Sequence, residues 1–149
     1  MKAIDQTLVC KGFGNCMQAV LASLFEKELT QTINVMELPE DNWHIPFMEW
    51  IESIGYDYVG VMNSATTKKE TYSDLKSQVA VKDYFYAVVP SKNFKGVTHA
   101  VIIDRNGIVA HDPSPKKQWQ GIDVVESGDL QYWYRFEPQT AQPEGTRAK

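Results

Sequence analysis

Cysteine is scarce in this chain: Cys10 and Cys16 are the only two among 149 residues. A disulfide between them would close so short a loop that it would contribute little. Two thiols alone cannot complete a structural zinc site either. No apolar run approaches the roughly 20 residues a membrane-spanning helix needs; the longest, Met17 to Phe25, is broken by Gln18 and Ser23. It is no better as the core of a signal peptide, because Asp5 and Lys11 precede it and Glu26-Lys27 follow. Excess basic charge is missing as well. The chain carries 15 Lys+Arg against 19 Asp+Glu, a net charge of −4. The only basic clusters are Lys68-Lys69 and Lys116-Lys117, so nucleic acid is not an expected partner. Neither an internal repeat nor a low-complexity block occurs. What is present, 43% hydrophobic against 23% charged residues, suffices for one ordinary core and excludes a disordered chain or a coiled coil. The expectation is a cytoplasmic domain with reduced thiols and no metal or organic cofactor.

Residues 1–15 are irregular and glycine-punctuated, ending in Gly12-Phe13-Gly14-Asn15. Met17, Val20, Leu21, Leu24 and Phe25 then recur at spacings of three and four, predicting a helix over 16–29 with one apolar face. Asn15 is placed as its N-cap. A second helix is expected over 42–54, with Pro46 tolerated near its first turn and Gly55 as its stop. The period then changes to two. Strands are predicted over 56–62, 84–89, 97–103, 108–111 and 130–136, with a polar loop over 63–71 and a short helix over 72–78. Asn106-Gly107 between two β-rich runs is the signature of a two-residue type I′ hairpin. Residues 138–149 read as a disordered tail. Helices followed by an antiparallel sheet make residues 1–137 a single α+β domain.

Cys16 opens the first helix directly after a glycine loop, where unpaired N–H groups and the helix dipole favour thiolate over thiol. Cys10 reads as structural or incidental. A thiolate nucleophile needs a base, and the base an orienting acceptor. Of the three histidines, His44 has no partner at a telling distance and reads as a surface or interface residue. His99 and His111 flank the hairpin. A two-residue loop pairs Arg105 with Ile108, puts Val101 opposite Asp112, and makes His99 a diagonal neighbour of Asp112 on the same face. A four-residue loop pairs Ile103 with Ile108 and sets His99 directly opposite Asp112. Only an odd slip would part them. His111 points the other way from Asp112, so His99 is the candidate base and Asp112 its orienter. The Cys16 N–H and the Gln6 side-chain amide are candidates for the oxyanion hole.

These residues resemble the papain-like cysteine peptidases, and within them the bacteriocin-processing peptidases. The likeness rests on Gln6, on Cys16 in Gly14-Asn15-Cys16, on His99 in Thr98-His99-Ala100-Val101-Ile102, and on Asp112-Pro113. It extends to small bacterial and bacteriophage proteins with a Gly-Asn-Cys helix start and a His-Ala-Val…His-Asp-Pro hairpin. The chain has Asn15-Cys16-Met17 where the bacteriocin-processing peptidases usually have Asp-Cys-Gly. The resemblance implies a Cys16-bearing helix packed on an antiparallel sheet. It implies a thiol-dependent acyl transfer on a protein or peptide substrate, and in a phage a host protein in the host cytoplasm. Water as acceptor gives a peptidase, isopeptidase or amidase; an amine gives a transglutaminase-like transferase. The alternative from another class is a binding module on a retired peptidase fold, using Trp43, Trp50, Trp119 and Trp133 at an interface. Specificity is expected from loops 63–71 and 91–96, with 114–121 as a further segment that would border the cleft.

Overall fold

The computed structural model describes residues 1–7, 14–38, 41–63, 67–78 and 83–139. Cys10 and residues 140–149 of the expected tail lie outside the described residues. Among the described residues three α-helices, α1 (Cys16–Phe25), α2 (His44–Ser53) and α3 (Lys68–Ser77), accompany five strands: β1 (Tyr56–Asn63), β2 (Tyr84–Pro90), β3 (Thr98–Asp104), β4 (Val109–His111) and β5 (Tyr132–Pro138). The strands form one antiparallel sheet in the order β1-β5-β2-β3-β4. The fold is thus α+β, with Cys16 at the head of the first helix.

The sheet is covered on both faces, which is why β2 is buried from Phe85 to Val89 with no polar interruption. Tyr86, Val88, Ala100, Ile102 and Phe136 face α1 and α2. Phe85, Ala87, Val89, Val101, Ile103 and Trp133 face Leu75 of α3 and the segment from Trp119 to Leu130. Phe25 ties the first layer together, lying 5.5 Å from the Phe136 ring and 6.1 Å from the Trp50 ring. Each fully buried large apolar side chain contributes roughly 1.5–3 kcal/mol.

Helix α1 departs from its expected form in two ways. Ala19 to Phe25 are all buried rather than one face, because residues at the N-terminus cover the outer side. There Lys2 N–H donates to Ser23 O at 3.0 Å, and Ile4 N–H donates to Ser23 Oγ at 2.9 Å. The helix also stops at Phe25, not Leu29. Glu26 adopts the left-handed conformation (φ 55°) and Lys27 N–H reaches back to Ala22 O at 2.9 Å, a Schellman ending that normally uses glycine. Leu29–Gln31 continues only as a 3₁₀ turn. Exposed Glu26 therefore holds a backbone conformation that costs an L-residue about 1 kcal/mol. Glu26→Gly is expected to raise stability by about that amount in chemical denaturation; an unchanged or lower midpoint would refute it.

The loop expected over 63–71 is shorter than that. Thr67 caps α3 by accepting from Glu70 N–H at 3.2 Å, and its hydroxyl donates to Glu70 Oε1. The pair is legible as the capping-box pattern Thr67-Lys68-Lys69-Glu70, with Glu70 here meeting the Thr67 hydroxyl. The last strand also runs later than expected. It ends at Pro138, and Gln139 N–H still donates to Gly55 O at 2.9 Å, so the ordered chain passes the expected start of the tail. It enters the sheet interior between β1 and β2.

The β3–β4 hairpin is not type I′. Gly107 N–H donates to Asp104 O, and Asp104 N–H to Ile108 O, both at 3.0 Å. Only Gly107 in this turn has positive φ, at 79°. This is a three-residue loop with a glycine bulge. Arg105, expected opposite Ile108, instead turns to α3, donating from Nη1 to Leu75 O and Lys76 O at 3.0 Å. The loop thus caps the carbonyl end of a helix. It also introduces the odd slip that would part His99 from Asp112. A second irregularity removes it: the register passes from Ile103↔Val109 to Ile102↔His111, leaving Ala110 as the extra residue.

Candidate active site

Cys16 begins α1 with a half-buried side chain. Asn15 occupies the N-cap position, but its side chain makes no capping bond. Its Oδ1 accepts from Thr7 N–H at 2.9 Å, and its Nδ2 donates to Thr7 Oγ1 and Gln18 Oε1. The first turn therefore keeps its N–H groups for another acceptor, and Met17 N–H is directed to the Cys16 sulfur.

The bulge restores the parity that the turn breaks, and His99 Nε2 meets Asp112 Oδ1 at 2.8 Å. Nδ1 is then the ring nitrogen left for Cys16, which hydrogen-bonds to the His99 side chain. Asp112 is fully buried. Its oxygens are satisfied from the loop over 114–121, Oδ1 by Ser114 N–H and Oδ2 by Trp119 N–H, both at 2.9 Å. Trp119 is fixed in turn by its indole N–H to Pro90 O at 3.1 Å, with Lys92 Nζ 4.2 Å from the ring centre. Sequence reasoning gave this loop only a bordering role. Its signal was Asp-Pro-Ser, which places an N–H two residues beyond the carboxylate in an Asx turn. Trp119 carried no such signal.

The three charges reinforce one another. Burial pushes the Cys16 thiol up, yet the His99 hydrogen bond and charge, with the N–H groups of Ala100 and Met17, bring it below the 9.0 of a free thiol. Burial pushes the His99 imidazole down, but Asp112 and Cys16 outweigh it and raise it to about 9. Burial raises the Asp112 carboxyl, and the bonds from His99, Trp119 and Ser114 carry it below its usual range. Each shift thus favours the charged form of its group: thiolate, imidazolium and carboxylate.

Gln6 is buried and lines the same cleft as Cys16 and His99, a cavity of about 200 Å³. Its backbone N–H donates to Pro113 O at 2.9 Å, next to Asp112. His111, the rejected base, points away as expected and donates from Nε2 to Ile4 O at 2.7 Å. His44 is exposed beside Trp43. Loop 91–96 reaches the cleft through Ser91, Asn93 and Phe94. Of loop 63–71, the described residues from Lys68 belong to α3, which packs on the other face of the sheet. The remaining wall is one the sequence did not announce, Tyr86, Tyr132 and Tyr134 from β2 and β5. Burial and then the Cys16 charge hold Tyr86 well above 10, so it stays a neutral phenol. Trp119 and Trp133 are buried, which removes them from any interface.

Among the described residues no group of three or more His, Cys, Asp or Glu is placed to hold a metal ion, and no helix is long and apolar enough to cross a membrane. Comparison with known proteins finds no matching family model, no matching curated protein and no matching solved structure.

Proposed function

We propose that the protein is a papain-like thiol acyl-transfer enzyme, a cysteine hydrolase of peptidase, isopeptidase or amidase type. The observation that carries this reading is the row of Cys16, His99 and Asp112, the first two lining one cleft and the third buried behind them, with the sulfur at a helix N-terminus. Cys16 Sγ attacks the substrate carbonyl carbon and forms a C–S bond while the C=O π pair moves onto oxygen. The Cys16 N–H and the Gln6 amide receive that oxyanion. Collapse breaks the bond to the leaving amine, which takes the proton of the His99 imidazolium. Water then gives a proton to His99 as its oxygen bonds to the thioester carbon, and collapse returns the carboxylic acid and the thiolate. Asp112 holds the imidazole throughout. An amine entering in place of water gives the transferase outcome through the same thioester.

Apart from Cys16 and His99, the described residues lining the cleft include no Asp, Glu, Lys or Arg. A protein or peptide substrate presenting an uncharged segment fits that lining, since an unpaired charge there would lose hydration without compensation. Incubation with p-nitrophenyl acetate, followed by peptide mass spectrometry, tests the reading. Acetyl label is expected on Cys16, about a hundredfold slower in Gln6→Ala, where one oxyanion donor is lost. A wild-type Cys16 that never acquires acyl label would sink the proposal.

A further inference from the structure

We infer that Lys117 is a positioning residue that holds Gln6 in place against the Cys16–His99–Asp112 row. The inference rests on the acyl-transfer reading above. Gln6 belongs to no helix or strand, so hydrogen bonds must fix where its amide sits. On one side residues 4–7 are held by α1, through Ile4 N–H to Ser23 Oγ and Thr7 N–H to Asn15 Oδ1, each 2.9 Å. On the other side they are held by the loop that follows β4. There Gln6 N–H donates to Pro113 O, His111 donates to Ile4 O, and the Lys117 ammonium pairs with the Asp5 carboxylate.

Lys117 does more than close a surface ion pair. The same Nζ donates to the backbone oxygen of Asp112 at 2.8 Å. One ammonium thus joins the residue before Gln6 to the residue that orients His99. His111 Nε2 also lies 3.6 Å from Asp5 Oδ1, so a second donor borders the same carboxylate.

The backbone supplies an independent observation. Lys117 has φ 51°, in the left-handed region that favours glycine. Glycine would occupy the position without strain, yet a long cationic side chain stands there and reaches back across the loop. Strain held at a residue that touches the site is a pointer to function. It also separates a positioning role from a structural one, since Lys117→Gly removes the side chain while relieving the backbone.

The test uses the full chain with Lys117→Gly, Lys117→Arg and Asp5→Asn. Cys16 is followed by two reagents: iodoacetamide, whose displacement creates no oxyanion, and p-nitrophenyl acetate, whose acylation does. Lys117→Gly is expected to melt no lower than wild type and to alkylate at the wild-type rate, but to acylate about tenfold slower. Lys117→Arg should recover most of that loss, and Asp5→Asn should match Lys117→Gly, with no further loss in the double variant. Wild-type acylation in Lys117→Gly overturns the inference alone. Equal slowing of both reagents also overturns it, because the disturbance would then lie in the Cys16–His99 pair. If wild-type Cys16 alkylates but never acylates, the acyl-transfer reading fails and takes this inference with it.

Discussion

Replacing His99 with alanine is expected to slow alkylation of Cys16 at pH 7 by about ten- to a hundredfold, since thiolate content falls tenfold for each unit the thiol pKa rises. The helix start and the N–H groups of Ala100 and Met17 remain in that variant, but burial is then opposed only by neutral donors. Acyl transfer from an amide substrate should fall further, by about a thousandfold, because the leaving amine also loses its proton source. In the wild type alkylation and acyl transfer from an amide should part company with pH. Alkylation needs only thiolate, so it rises through the lowered Cys16 pKa and persists in alkali. Acyl transfer from an amide needs imidazolium as well to protonate the leaving amine, so it should fall again as pH passes about 9, where His99 loses its proton. The His99–Asp112 pair follows the same signs in stability. His99 is raised in the folded state, so its contribution is complete below about 6.5 and is lost as pH rises through about 9. Asp112 is lowered, so its contribution is present above the usual carboxylate range and lost as pH falls through its folded value. Cys16 alkylation in His99→Ala that matches wild type at every pH would refute the thiolate–imidazolium pair.

The parts of this site were legible where chemistry is local to the chain. A cysteine after Gly14-Asn15 signals a helix start, and parity across a hairpin relates His99 to Asp112 whatever even register is chosen. Three things were not legible, for distinct physical reasons. The order of strands in the sheet depends on contacts between residues far apart in sequence; nothing in Tyr132–Pro138 says that it enters between β1 and β2. The shell around Asp112 consists of backbone N–H groups at Ser114 and Trp119, which every residue but proline owns and no side-chain pattern reveals. The Tyr86, Tyr132 and Tyr134 wall arises because β5 pairs with β2, so it inherits the illegibility of the topology. One local signal does lie in the sequence: Thr67, three residues before Glu70, caps the start of α3 inside a stretch that composition alone marks as loop. Asn15 shows the reverse. Its position was right, but its side chain turns to Thr7, and the Met17 N–H of the first turn serves the sulfur instead.

The hairpin deserves its own test because two opposite irregularities place His99 on Asp112. The glycine turn shifts the ladder by one residue, and the extra residue Ala110 shifts it back. Gly107 is the hinge of the first shift. Its φ of 79° is unfavourable for any L side chain, and a Cβ there would stand 2.6 Å from Val125 Cγ2. The turn cannot drift away to make room, since Gly107 O accepts from Val124 N–H at 3.0 Å and Val109 N–H donates to Ile122 O at 2.9 Å. Gly107→Ala should therefore combine left-handed strain of about 1–2 kcal/mol with overpacking of about 1–3 kcal/mol. A net loss near 3 kcal/mol is expected in denaturant unfolding, against the few tenths typical of an ordinary turn position. Adding Val125→Ala removes the clash but not the strain, so the double variant should recover part of the loss relative to Val125→Ala alone. If the turn relaxes toward a true two-residue loop, the odd slip disappears while the Ala110 bulge remains. His99 and Asp112 would then face opposite sides of the sheet. Cys16 alkylation at neutral pH should fall with stability in that event, although residue 107 touches neither Cys16 nor His99. Gly107→Ala with wild-type stability and wild-type alkylation would show that the register is held elsewhere, by the Arg105 cap on α3 or by the bulge itself.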